Sequence, residues 1–268
     1  LQRGPLMRAN GVREAWAAGR PALGGWLMIP SAFCAEIVAH AQFDWVCVDM
    51  QHGVIDYAQM VTMLQAVSST NVTPLVRVPW NEPGIIGKTL DAGARGVIIP
   101  MVNSRADAER AVQACRYAPQ GARSYGPVRA NYYAGFDYFA NANDDVLCIV
   151  MIETRDAVAR VDEILAVPGI DAVYVGPADL SVTLGLPPAP DQDAASFSDA
   201  ITRILEACHA HGVVPGIAGN QQTAPKRIEQ GFRLVEVAAD AALLARGAGL
   251  ALQAVAPDRA ADTRSSYL

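Results

Sequence analysis

Lysine is nearly missing from this chain: only Lys88 and Lys226 occur in 268 residues, both within helical patterns and neither at a strand end. Imine chemistry needs a desolvated lysine amine facing a carbonyl carbon, so a Schiff-base mechanism is set aside. Basic residues are also outnumbered, 21 against 27 acids for a net charge of -6, which argues against a surface for nucleic acid or anionic membrane. No uninterrupted apolar run reaches the roughly 18–20 residues of a membrane span, and no charged-then-apolar leader opens the chain. The five cysteines, at 34, 47, 115, 148 and 208, are odd in number and scattered, without the spacing of a zinc cluster. Cys47 and Cys148 fall in apolar strand patterns, where small buried hydrophobes belong, so a reducing cytoplasm is the expected setting. Leu1 stands in place of Met, and residues 1–6 read as a remnant ahead of a natural start at Met7.

Apolar residues, by contrast, are plentiful at 51%, enough for one large core in a chain of the length usual for a single α/β barrel. Short apolar runs near 23–28, 45–49, 73–77, 96–100, 146–152, 172–176, 213–217 and 234–237 predict strands, each followed by helical spacing. Helix starts are marked by Ser31, by Asp56 with Gln59 in capping-box spacing, by Ser104 and by Thr154. Eight such units predict a (β/α)8 TIM barrel over 23–256, after an N-terminal segment 1–22 and before a tail 257–268. Pro119 to Asp145 and Gly185 to Asp193 break the pattern and are expected to be loops.

Right-handed crossovers bring every strand's C-terminal end to one rim, so residues distant in sequence meet there. Glu153 closes the run Val146 to Ile152, and Asp179 follows Ala172 to Ala178. Each is also a natural acid for a helix N-terminus, but together, at adjacent strand ends, they predict a divalent-metal site of hard oxygen ligands with positions left for water and substrate. His52 follows the second strand in a turn and has the pKa range of a general base, with Asp49 and Asp91 as alternative groups to orient it. Arg77 ends an apolar strand, where an unpaired cation is costly; it must meet a carboxylate of the protein or of a substrate, and an arginine there also stabilises oxyanion charge. Gly24-Gly-Trp26 and Gly216-Ile-Ala-Gly219 shape the rim, with Trp26 equally suited to core or pocket wall.

The strings Val48-Asp-Met-Gln-His-Gly53, Leu75-Val-Arg-Val-Pro-Trp80, Val97-Ile-Ile-Pro-Met-Val102, Ile152-Glu-Thr154 and Val175-Gly-Pro-Ala-Asp-Leu-Ser181 closely resemble the HpcH/HpaI aldolase family, from about Gly24 to Ala254. The resemblance implies a barrel of the phosphoenolpyruvate/pyruvate-superfamily type and a class II, metal-dependent aldolase. Such an enzyme cleaves 2-keto-3-deoxy or 4-hydroxy-2-keto acids to pyruvate and an aldehyde through a metal-stabilised enolate. By resemblance Glu153 and Asp179 bind the ion, with Mg²⁺ or Mn²⁺ first and Co²⁺ or Zn²⁺ as alternatives. His52 serves acid/base catalysis paired with Asp91, Asp49 assists, and Arg77 contacts the keto oxygen. Backbone amides after Gly176, at Ala178 and Asp179, receive the pyruvate carboxylate, and Trp26 and Ala218 adjust substrate fit. The last helix, about Asp240 to Ala254, is exchanged between subunits in dimers that build hexamers.

Three positions depart from the family's familiar pattern: Met151 stands where a glutamine often precedes the acid, Gln51 replaces an acid before the histidine, and Ala218 replaces a larger aliphatic residue. The competing enzyme is a CoA-ester lyase of the citramalyl or malyl type, though no basic cluster near the rim offers itself to adenosine phosphates. From another class, a catalytically silent barrel that binds a keto acid shares the fold, and the intact Glu153, Asp179, His52 and Arg77 set argues against it.

Overall fold

The computed structural model describes residues 8–257, so the start at Met7 and the tail from residue 258 lie outside the described residues. Eight parallel strands close into a barrel in chain order: β1 (Ala22–Leu27), β2 (Trp45–Asp49), β3 (Thr73–Arg77), β4 (Gly96–Ile99), β5 (Leu147–Ile152), β6 (Ala172–Val175), β7 (Val214–Ile217) and β8 (Leu234–Ala239). Each lies within two residues of an apolar run, and helices between them cover the outside. The (β/α)8 architecture expected from the alternation is therefore present.

Alternate side chains face inward and outward. Trp45, Cys47, Leu75, Ile98, Ile149, Tyr174 and Leu234 fill the barrel, whereas Val46, Val48, Val76, Val97, Val150 and Val173 pack beneath the helices. Trp45 spans the interior so fully that a Cβ on Gly24 would fall 2.0 Å from its ring, which is why β1 carries glycine there. The segment before β1 contains a helix, Gly11–Ala17, whose Val12 and Ala15 join this interior cluster.

The cap residues behave as read: Ser31, Ser104 and Thr154 each accept a backbone N–H three residues on, and Asp56 with Gln59 forms a reciprocal capping box. Residues 119–145 depart from expectation. Pro119 to Pro127 is irregular, but two short helices follow, Ala130–Ala134 and Tyr138–Asp145, where Arg129 and the tilted ring contact of Tyr117 with Phe139 anchor the segment. Between Gly185 and Ala194 no helix forms. All five cysteines are free, and among the described residues no helix is long and apolar enough to cross a membrane.

The final helix, Asp240–Val255, starts against its own barrel: Asp240 accepts the backbone N–H groups of Met28 and Ile29 at 2.9 and 3.1 Å. Beyond that tie it exposes Leu244, Leu250 and Val255.

Candidate active site

Register places Asp49 directly opposite Arg77, the last residues of β2 and β3. The guanidinium fork grips the carboxylate through Nε to Oδ1 at 2.8 Å and Nη2 to Oδ2 at 2.6 Å. Asp49 also accepts the indole N–H of Trp26 at 3.2 Å and the backbone N–H groups of Gln51 and His52 at 3.0 and 3.3 Å. Burial alone would raise this carboxyl, but the Arg77 hydrogen bonds and charge hold it below the usual carboxylate range. Asp49 thus neutralises Arg77 and shapes the turn that carries His52. The Nη1 of Arg77 has no partner among the described residues, and Trp26 lies beneath the guanidinium, 5.0 Å from ring centroid to Cζ. Trp26, equally core or wall by sequence, is an interior residue tied to the site.

Glu153, immediately after β5, is 1% exposed. Its Oε1 accepts the Met101 backbone N–H at 2.7 Å, a donor aimed by a left-handed φ of 56° at Met101. Such a conformation is costly for a residue with a side chain and persists where the surroundings hold it. Oε2 packs so close to Gly176 that a Cβ there would sit 2.7 Å away. Burial pushes the Glu153 carboxyl up to about 7; the Met101 bond opposes this, and the charge of Asp179 adds to it.

Asp179 itself is exposed, in the first turn of the helix Pro177–Thr183, which no side chain caps. Ala178 and Ala218 are half-buried, Ala218 bonded through its N–H to the Val175 carbonyl at 3.0 Å. Two carboxylates converge here, and among the described residues no group of three or more His, Cys, Asp and Glu gathers into a metal cage.

His52 is exposed at the rim, and its ring forms no hydrogen bond among the described residues. The expected pairing with Asp91 is absent. Asp91 instead binds Nη2 of Arg123 at 2.7 Å, because the Arg123 side chain is 0% exposed and needs a counter-charge. Asp49 reaches His52 only through the backbone. Gln51, the departure before His52, keeps its Oε1 sealed from solvent without a partner.

Sequence reasoning missed Glu236 and Tyr174. Glu236, on β8, is 9% exposed, and its Oε2 accepts the Tyr174 hydroxyl at 3.2 Å and the Gly219 N–H at 3.4 Å. A lone acid in Leu234-Val-Glu-Val237 was the available signal, since an inward carboxylate in a barrel strand is costly unless used.

The chain as a whole has known relatives. Residues 23–247 match the family model described as HpcH/HpaI aldolase/citrate lyase. A hydroxypyruvate/pyruvate aldolase from Rhizorhabdus wittichii is 44% identical over 89% of this chain and 96% of its own length. A 4-hydroxy-2-oxo-heptane-1,7-dioate aldolase from Klebsiella pneumoniae is 40% identical over 89% and 91%. The crystal structure of an HpcH/HpaI aldolase/citrate lyase family protein from Burkholderia cenocepacia superposes with a TM-score of 0.85 at 35% identity, covering 92% of this chain and 99% of the other. With the rim motifs on one barrel and the match running across nearly all of it, the chain belongs to the HpcH/HpaI aldolase/citrate lyase family.

Proposed function

We propose that this protein is a divalent-metal-dependent aldolase that reversibly cleaves a 4-hydroxy-2-keto acid to pyruvate, or a close 2-keto acid, and an aldehyde. The carrying observation is Glu153: a sealed carboxylate beside Asp179, raised to about 7, with the nearby arginine already committed to Asp49. Acids so placed fit a hard cation, and two ligands leave positions for water and substrate, which suits Mg²⁺ or Mn²⁺. A bound divalent ion supplies Lewis-acid polarisation of the keto group.

The chain's own residues do the rest. Asp49 fixes Arg77 so that the open Nη1 meets the keto oxygen and its developing charge, a preorganised donor that needs no rearrangement during reaction. The uncapped N–H groups at Ala178 and Asp179 receive the substrate carboxylate. His52, free at the rim on a turn that Asp49 holds, takes the 4-hydroxyl proton as the C3–C4 bond breaks, and returns it in the synthetic direction. Trp26 and Ala218 border the space for the aldehyde. The relatives named above are aldolases, which favours this reading over the CoA-ester lyase and the silent barrel.

The exposed Leu244, Leu250 and Val255 support docking of the last helix on a second copy, in dimers that build a hexamer. Light scattering at sub-micromolar concentration tests this, and a monomer there rejects it.

The deciding experiment is deuterium exchange into the pyruvate methyl group, followed by NMR on metal-stripped enzyme with and without Mn²⁺ or Mg²⁺. Exchange that requires metal and His52 supports the reading. Its absence with every ion rejects it.

A further inference from the structure

Below the rim lies a second polar pair that the reaction just described does not use. Glu236 sits in β8 opposite Gly24, between Tyr174 of β6 and Gly219 after β7. Tyr174 stacks on Trp26 with ring centroids 5.4 Å apart, and Trp26 in turn touches both Arg77 and Asp49. A chain of contacts therefore joins Glu236 to the groups that handle the keto oxygen.

The two oxygens of Glu236 differ. Oε2 takes both the Tyr174 hydroxyl and the Gly219 N–H, whereas Oε1 has no partner among the described residues and is not one of the side-chain atoms sealed from solvent. Glu236 keeps 9% exposure, while Leu234 and Val235 before it on the strand have 0%. Oε1 is thus the unpartnered edge of the carboxyl and keeps some exposure. Burial pushes this carboxyl up to about 7, with the Gly219 and Tyr174 bonds and Arg77 opposing, and Asp49 adding to, the rise. With two donors on Oε2, Oε1 is the oxygen left to meet a further polar group, as an acceptor when the carboxyl is ionised and as a donor when it is protonated. An acid held this way in a strand of apolar residues is costly as filler, and its open edge matches a small polar group.

We propose that Glu236, held by Tyr174, is a specificity-determining residue that hydrogen-bonds an aliphatic hydroxyl carried by the substrate. The proposal rests on the aldolase reading and deepens it. The hydroxyl has two possible sources, the 2-keto acid or the aldehyde, and the pair serves either because a hydroxyl both donates and accepts.

The test compares wild type, Glu236→Leu, Glu236→Gln and Tyr174→Phe, all loaded with Mn²⁺. The substrate pairs are pyruvate with acetaldehyde, hydroxypyruvate with acetaldehyde, and pyruvate with glycolaldehyde. The readout is the ratio of kcat/KM for each hydroxylated pair to that for the first. Glu236→Leu is expected to lower one ratio about 10-fold or more, and the pair affected identifies the source. Glu236→Gln, which keeps a donor and an acceptor, restores most of the preference. Tyr174→Phe, which unties Oε2, lowers the same ratio by roughly 3-fold. Calorimetric affinities for hydroxypyruvate and pyruvate give a readout independent of turnover for the keto-acid source.

Unchanged ratios in Glu236→Leu, or equal losses on all three pairs, overturn the proposal and leave Glu236 a structural residue. If Glu236→Leu does not fold by circular dichroism, Glu236→Met and Tyr174→Phe are judged by the same ratios. Methyl exchange by wild type separates the two failures: no exchange defeats the aldolase reading, whereas exchange with unchanged ratios defeats only the role of Glu236.

Discussion

Asp49 and Glu153 are both carboxylates at C-terminal strand ends, and both are sealed from water, yet the two sides of the rim treat them in opposite ways. On the β2–β3 side Asp49 meets a guanidinium through two bonds, and its pKa falls. On the β5–β6 side Glu153 meets one backbone N–H and the like charge of Asp179, and its pKa rises to about 7. Burial raises both acids; the neighbour decides the outcome. One side has its charge balanced by a bonded partner, while the other has its charge unbalanced and, in the function proposed above, takes up a cation.

The largest effect is expected where the balance is missing. Glu153→Gln or Asp179→Asn removes a proposed hard ligand, and loss of several kcal/mol of transition-state stabilisation corresponds to about 10³-fold in kcat/KM. Mn²⁺ affinity by calorimetry falls in parallel, while circular dichroism stays unchanged. Near-wild-type turnover in either variant breaks the contrast between the two sides.

On the balanced side Arg77→Lys retains the charge but loses the fork. The three N–H donors of an ammonium radiate from one nitrogen and cannot reproduce the planar fork that spans both Asp49 oxygens with Nη1 left over, so kcat/KM is expected to fall about 10²-fold. Mn²⁺ affinity is the control: a parallel loss there shows the two sides to be one coupled unit. Asp91→Asn comes next. Arg123 loses its counter-charge at a cost of about 3 kcal/mol, with only a few-fold change in turnover. A large loss of turnover with unchanged melting returns Asp91 to the role at His52 that the family resemblance implies.

Much of this was legible in advance. The eight strands follow from apolar runs, because an inner strand of a barrel is covered on both faces and reads as continuous hydrophobicity. Glu153 and Arg77 stood out because each ends such a run, where a charge is costly, and caps such as Thr154 mark where helices begin. Pairings across the chain were not legible. Arg77 required a carboxylate without revealing whether it came from Asp49 or from a substrate, and Asp91 found Arg123, 32 residues away, through a segment with no periodicity to place it. Glu236 is masked within a run that strand length alone accounts for; only the inward alternation of β8 puts its acid inside the barrel.

Glu236 also supplies the smallest and cleanest extension of the contrast, as a third buried acid whose neighbours fail to lower it. The groups around it are Tyr174 and Gly219, which bond it, Arg77, which lowers it, and Asp49, which raises it, with Cys47 nearby. The unfolded chain releases this proton near 4.5 and the native chain near 7. Below 4.5 both states hold the proton and stability is unaffected. Between the two values the native state holds more protons, so stability falls as pH rises, and it levels off above about 7. The full difference is on the order of 3 kcal/mol. Glu236→Gln has no proton to lose, so thermal melts of variant and wild type should coincide in their offset at pH 4 and diverge in the variant's favour by pH 8, by roughly 5 °C. Glu153, raised alike, keeps part of the slope in both proteins. A variant whose melting tracks wild type at every pH shows that Glu236 is ionised in the native barrel, and aligns it with Asp49 rather than with Glu153.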